Sequence, residues 1–218
     1  MKRKKILKII FVVIMILLLL FLLNTLRKFI IIKDLQENVE KYASSNNFYV
    51  KSVEKQNLNT IVTINYYEKD EKNLLIIERK NNGIISKISK YNDGNKVDIF
   101  YDNPENKIVE LNTPESMIEF NIYNYLKTDN DWETFILSIT SKIKTTQYNG
   151  KNCYVIRDFA SSTFLTSKDA EAYIEKDTGL LVKYIINSNV TEREYEFGNV
   201  NDFIFIEPDI SDYTIKEK

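Results

Sequence analysis

Five basic residues, Lys2, Arg3, Lys4, Lys5 and Lys8, precede an unbroken apolar run from Ile9 to Leu23, and nothing later in the 218 residues repeats that pattern. Fifteen helical residues reach about 22 Å, short of a hydrocarbon core of about 30 Å. With Ile6 and Leu7 counted, Lys8 snorkelling and the helix carried through Asn24, Thr25 and Leu26, the span grows to about twenty residues and fits. A cleaved signal peptide is the rival reading. It requires small residues just after the apolar run, whereas Leu22 to Arg27 offer none, and the first small pair, Ala43 and Ser45, stands too far along. The only cysteine, Cys153, excludes a lipid-accepting cysteine beside the run. The sequence therefore predicts an uncleaved single-pass anchor. The excess of basic residues before the run places the N-terminus in the cytoplasm and the bulk of the chain outside it.

Charge separates along the same boundary. The first 28 residues hold seven of the thirty basic side chains and no acidic one, leaving 23 basic against 31 acidic, a net of −8 for the remainder. A domain that acidic does not match nucleic acid or an anionic bilayer face. One cysteine allows no internal disulfide, so an exported domain must rely on a hydrophobic core. The expected organisation is a cytoplasmic tail over 1–8, a transmembrane anchor over 9–26, a helical stalk over 27–44 and an extracytoplasmic domain over 45–218.

From Thr25 to Ala43 no Gly or Pro interrupts a helical spacing of apolar residues, and Ser44-Ser45-Asn46-Asn47 reads as its stop. Segments rich in Val, Ile, Thr, Tyr and Phe follow at 48–55, 60–68, 74–80, 84–91, 97–101 and 107–111. Polar turns such as Asn81-Asn82-Gly83 and Asn92-Asp93-Gly94-Asn95 divide them, as in an antiparallel meander. Thr113-Pro114-Glu115 reads as a helix start, with Met117, Phe120 and Tyr123 at helical spacing. A second helix is expected to open at 129–131 and to carry Trp132, Phe135, Ile136, Ile139 and Ile143 on one face. Strands return at 145–148, 152–159, 170–175, 180–187 and 191–200. Asn149-Gly150 signals a tight hairpin, and Lys176-Asp177-Thr178-Gly179 a turn closed by a left-handed Gly179.

The absence of histidine removes Ser-His-Asp and Cys-His nucleophile sites and His-bearing zinc sites. No glycine loop can cradle phosphate, and Cys153, in a strand-like stretch, reads as a small buried hydrophobe. Glu192, Glu194 and Glu196 share one side of a strand, where a glycosidase pair or a calcium site is conceivable; a solvated face with Tyr195 and Phe197 turned inward is the simpler expectation. The chain is therefore read as non-enzymatic, with no cofactor and no metal.

A long N-terminal helix, a run of antiparallel strands, a helical insertion, further strands and the hairpin from Ala172 to Lys183 together resemble the LolA-like superfamily of lipoprotein carriers and related envelope proteins. The resemblance spans roughly residues 26–213. It implies an α+β fold, an incomplete β-barrel covered by two helices, that binds lipid-like molecules. The aromatic load then directs the ligand to the helix pair, with Met117, Phe120, Tyr123, Trp132 and Phe135 as the binding residues. The expected function is a membrane-anchored envelope protein that binds a hydrophobic or lipid-like ligand. The alternative is a structural or protein-interaction module offering its acidic surface to an envelope protein partner.

Overall fold

With no Gly or Pro before Ala43, nothing in the first 43 residues stops a helix once it starts, and α1 runs without a break over Lys2–Ala43. The computed structural model describes residues 2–43, 45–56, 59–113, 128, 130–157 and 170–216. The two halves of α1 meet different surroundings. Every large apolar side chain from Ile6 to Leu23 is exposed, whereas Thr25, Ile32, Leu35 and Val39 are buried. The first half is long and apolar enough to be a membrane span or a signal sequence. The second half, expected as a stalk, supplies core residues.

Two antiparallel meanders build the sheet. The first comprises β1 (Asn47–Lys55), β2 (Thr60–Lys69), β3 (Lys72–Asn81), β4 (Ile84–Asn92), β5 (Val97–Asp102) and β6 (Lys107–Thr113). The helix α2 (Asp131–Thr140) precedes the second meander of β7 (Lys142–Tyr148), β8 (Lys151–Arg157), β9 (Glu171–Glu175), β10 (Leu181–Ile186) and β11 (Asn189–Phe197). Pairing of β1 with β11 fuses the meanders at their middle, and the two-residue β12 (Thr214–Ile215) adds to β6 in parallel. The order is β12-β6-β5-β4-β3-β2-β1-β11-β10-β9-β8-β7, twelve strands whose two edges do not pair with each other. The fold is α+β, with an open curved sheet rather than a closed barrel.

Turn chemistry fixes the register. Asn82-Gly83, Asn149-Gly150 and Asn187-Ser188 all have positive φ at both residues, the condition for type I′ turns, so Asn81 pairs with Ile84, Tyr148 with Lys151 and Ile186 with Asn189. Asn-Ser achieves this without glycine.

One face of the sheet carries the helices. Ile32 and Leu35 of α1 and Leu137 of α2 are buried with Ile156, Ala172, Ile174 and Leu181. Further along α1, Val39 is buried with Phe48, Val50, Tyr66, Leu75 and Leu180. The helix thus crosses from the β8–β10 side of the sheet to the β1–β3 side. The opposite face has its own cluster at the far end, where Leu74, Tyr91, Phe100 and Val109 are covered by Ile204, Phe205 and Tyr213 of the C-terminal segment. Tyr195 and Phe197 pack against the helical face, so Glu192, Glu194 and Glu196 point the other way, as alternation requires.

One sequence expectation changes here. The second helix ends at Thr140, with the Ser141 N–H bonded to the Leu137 carbonyl, so Ile143 lies on β7 opposite Ile156 and not on the helix face. Lys142-Ile143-Lys144-Thr145 alternates with a period of two and continues as strand. The first expected helix, beyond Pro114, lies outside the described residues.

At Gly179 the backbone of the β9–β10 turn lies directly against α1. This glycine has φ +70°, and a Cβ there would collide with the Leu35 carbonyl oxygen and stand 2.9 Å from the Val39 nitrogen. Gly179→Ala is therefore expected to destabilise the full-length protein in detergent by about 3 kcal/mol or more, because α1 must shift. Gly150→Ala, with open space around φ +76°, should cost only about 1–2 kcal/mol. Urea denaturation of the two variants checks the difference; equal losses would mean that the close approach of α1 does not matter.

Candidate ligand-binding face

Directly opposed residues of an antiparallel sheet lie on the same face, so the register defines rows across the strands. Ile64 opposes Ile77, Ile77 opposes Ile88, Ile88 opposes Tyr101 and Tyr101 opposes Ile108. The result is one apolar row over β2–β6, about 19 Å from end to end at roughly 4.8 Å per strand. The neighbouring row holds Val50, Tyr66 and Leu75, so this is the helical face. All five side chains in the row are half-buried, in contrast to Tyr66 and Leu75 beside them. Ile64 and Ile77 pack at the margin of the cluster around Val39, while Ile88, Tyr101 and Ile108 belong to none of the clusters formed by described residues. Polar residues border the row, with Arg79 and Ser86 on one side and Lys90 and Glu110 on the other.

The helix α2 owes its place to both ends. Asn130 caps its N-terminus by accepting from the Glu133 N–H at 3.0 Å, and Asp131 pairs with Lys33 of α1. At its other end the Lys28 ammonium donates to the Ser141 carbonyl at 2.7 Å, and Leu137 is buried with Ile32 and Leu35. Of the five ligand residues expected from sequence, Met117, Phe120 and Tyr123 lie outside the described residues. The other two come together: the Trp132 and Phe135 rings stack with centroids 5.7 Å apart. Phe135 is half-buried, but Trp132 is 67% exposed and turned outward.

The polar clusters have structural partners. On the face opposite the helices, Glu171 pairs with Arg157 at 2.6 Å, Glu192 and Glu194 lie 3.9 Å from Lys55 and Lys51, and Tyr148 donates to Glu192. Lys183 sits over the rings of Tyr148 and Tyr173. Burial and the Glu192 carboxylate push the Tyr148 hydroxyl up to about 12. Near the C-terminal segment, buried Asp98 accepts from the Asn112 N–H at 2.7 Å and from Lys96 at 2.5 Å, and Lys96 also reaches Glu207. That bridge holds the segment beside a cleft of about 260 Å³ lined by Lys72, Tyr91, Asp93 and Phe205 among others. No group of three His, Cys, Asp or Glu side chains placed to hold a metal occurs among the described residues. Cys153 is fully buried, and desolvation raises its thiol above the ordinary value. Among the described residues, nothing in these arrangements leaves a nucleophile beside a base.

No protein-family model matches the chain, and no curated protein matches its sequence. Solved structures of similar architecture include an uncharacterized conserved protein from Thermus thermophilus (10% identity, TM-score 0.42, covering 84% of this chain and 98% of that one). They also include a domain named for outer membrane lipoprotein sorting from Vibrio parahaemolyticus (12% identity, TM-score 0.29, 84% and 97% coverage). A third is a LolA superfamily protein from Nitrosomonas europaea (10% identity, TM-score 0.27, 80% and 97% coverage). Values this low mark no more than a distant likeness.

The aromatic count directs attention to the helices and misses the row on β2–β6. The signal for that row lies in the turns. If Lys69 pairs with Lys72 across Asp70-Glu71, then Ile64 must face Ile77, and pairing of Asn81 with Ile84 across Asn82-Gly83 places Ile77 opposite Ile88.

Burial raises the hydroxyl pKa of seven of the described tyrosines, and two of them, Tyr148 and Tyr213, can be tested together as part of the fold's pH signature. Burial, followed by the hydrogen bond with Asp102, pushes the Tyr213 hydroxyl up to about 12, alongside Tyr148. Both keep their protons in the folded state while an unfolded tyrosine ionises near about 10. Their contribution is present in full below about pH 10 and is lost as pH rises to about 12. The urea midpoint should hold up to about pH 10 and then fall, and Tyr148→Phe/Tyr213→Phe should flatten the fall. A double variant that follows the parent curve would remove these tyrosines as its cause.

Proposed function

We propose that this chain is a membrane-anchored extracytoplasmic protein that binds a hydrophobic, lipid-like ligand along the half-buried row Ile64–Ile77–Ile88–Tyr101–Ile108. That row is the observation that carries the reading. A sheet buries its apolar face against something, and a long apolar strip left partly accessible on the helical face of an open sheet is chemically suited to an acyl chain. Arg79, exposed on its border, offers positive charge to a lipid headgroup while the strip takes the tail. In this reading Met117, Phe120 and Tyr123 add ligand contacts together with Phe135, and Trp132 stands further out on α2.

The anchor follows from α1. Its apolar half is unburied and continues straight into a half that the domain cannot lose, so removing the run would cut into the start of a core helix. The acidic balance gives less support to a protein-docking function, because the glutamates at 171, 192 and 194 already face basic partners on the same sheet.

The test is photo-crosslinking of full-length protein in nanodiscs that contain a diazirine-labelled phospholipid. Labelled peptides are expected from β4–β6 in addition to α1. Ile88→Glu, which sets a charge in the middle of the strip, should reduce the β4–β6 labelling about tenfold, equivalent to about 1.4 kcal/mol. Labelling confined to α1, or unaltered in the variant, would remove the strip from the ligand site.

A further inference from the structure

The outer surface of the helix pair carries a second apolar feature. On α2, Trp132, Ile136 and Ile139 are 67%, 36% and 38% exposed, and their i, i+4, i+7 spacing sets them on one helical line. On α1, Leu26 and Ile30 are 51% and 57% exposed and share the same spacing with Lys33, the residue that holds Asp131 of α2. The five apolar side chains therefore form a stripe that leaves the apolar run of α1 and passes onto α2. The chain's single tryptophan is among them. They are not a core, because Leu137, Thr134 and Ser138 form the buried side of the same helix.

We propose that this stripe is a membrane-contact surface, lying in the headgroup layer of the leaflet from which α1 emerges and seating the domain directly on the bilayer. The inference rests on the anchor reading given above. Its geometry follows from the helix rise: Lys28, bonded to the C-terminal end of α2, is about 3 Å further along the axis than Leu26, and Lys33, bonded to the other end, about 10 Å. The headgroup layer is roughly 5–8 Å deep on each side, and a tilt of about 20° is ordinary for a spanning helix. With α2 about 8–10 Å to one side of α1, a tilt of that size toward α2 lowers its outer end by about 3 Å, from about 10 Å to about 7 Å, and α2 then lies within the headgroup layer. Charge runs the same way, since Arg27, Lys28 and Lys142 cluster at the end nearer the bilayer and Asp131 and Glu133 at the end further out. Tryptophan at such a depth has its apolar ring and its N–H both accommodated. Trp132, outward on α2, thus touches lipid in the membrane, while Phe135 beneath it faces the protein.

Trp132 is its own reporter. Full-length protein is reconstituted into phosphatidylcholine vesicles that carry a nitroxide either near the headgroup or near the tail end, and tryptophan emission is read in each. Flotation of the same vesicles scores anchoring. Emission should be blue-shifted, quenched most by the shallow nitroxide and shielded from aqueous iodide. Ile88→Glu should leave the quenching unchanged, which separates the bilayer from a bound ligand as its source. Ile136→Asp/Ile139→Asp should restore iodide access with the urea transition retained. Protein that floats with its vesicles yet shows no lipid quenching and full iodide access would overturn the proposal while leaving the anchor standing. Protein that fails to float would overturn both.

Discussion

The fold depends on the second half of α1 being laid across the sheet. Ile32 and Leu35 enter a core cluster built on β8–β10, and Val39 enters a second one built on β1–β3 together with Leu180, Tyr195 and Phe197 of the other meander. Among the described residues, backbone pairing joins the two meanders at β1 and β11, side chains such as Phe48 and Phe197 meet across that seam, and the helix adds a second connection over the top. Gly179 is the steric counterpart, since any other residue would lift the helix from the Leu180 turn. A membrane-type helix and a core helix are commonly separate elements. Here one uninterrupted element has the character of both.

The two faces of the sheet answer to different physics. On the helical face, burial differs from row to row, complete at Tyr66, Leu75 and Ile99 and partial at Ile88, Tyr101 and Ile108 in the row beside them. The other face is held by cross-strand pairs of charged and aromatic side chains, with Lys183 over two tyrosine rings and glutamates beside lysines, each worth only tenths of a kcal/mol to about 1 kcal/mol. It needs no cover except at the far end, where the C-terminal segment returns over Phe100 and is tied down by the bridge through Lys96. The net charge of −8 outside the first 28 residues therefore does not translate into a bare acidic surface on this face.

Much of this is legible in the sequence. Strand segments, the Asn149-Gly150 hairpin, the Gly179 turn, the inward Tyr195 and Phe197 and the buried Cys153 follow from local pattern, because turn residues and alternation act over a few positions. Long-range pairing does not show in the same way. Nothing local to Phe48 or Phe197 says that β1 meets β11, and Thr214 and Ile215 carry no mark of a parallel partner in β6. Ile143 misleads because an apolar residue one turn beyond Ile139 suits a helix as well as a strand; the lysines on either side of it decide the matter. Nor can the half of α1 beyond Asn24 be told from a stalk by sequence, since Ile32, Leu35 and Val39 have the same periodicity whether they meet solvent or a sheet. The apolar row on β2–β6 is legible only through turn arithmetic rather than through composition.

No Gly, Pro or polar linker separates the apolar run from the domain. An ordinary tethered domain explores a volume set by its linker, and its chance of meeting a partner is governed by that reach. Anchored through α1, this domain would have no such freedom, because a rotation or tilt of the buried half of α1 is a rotation or tilt of the sheet. For an anchored chain of this build, the domain is a lever with its fulcrum in the bilayer. A change in membrane thickness, or a neighbouring helix pressing on residues 6–23, would then be felt at the far side of the domain as a reorientation of the strip on β4–β6.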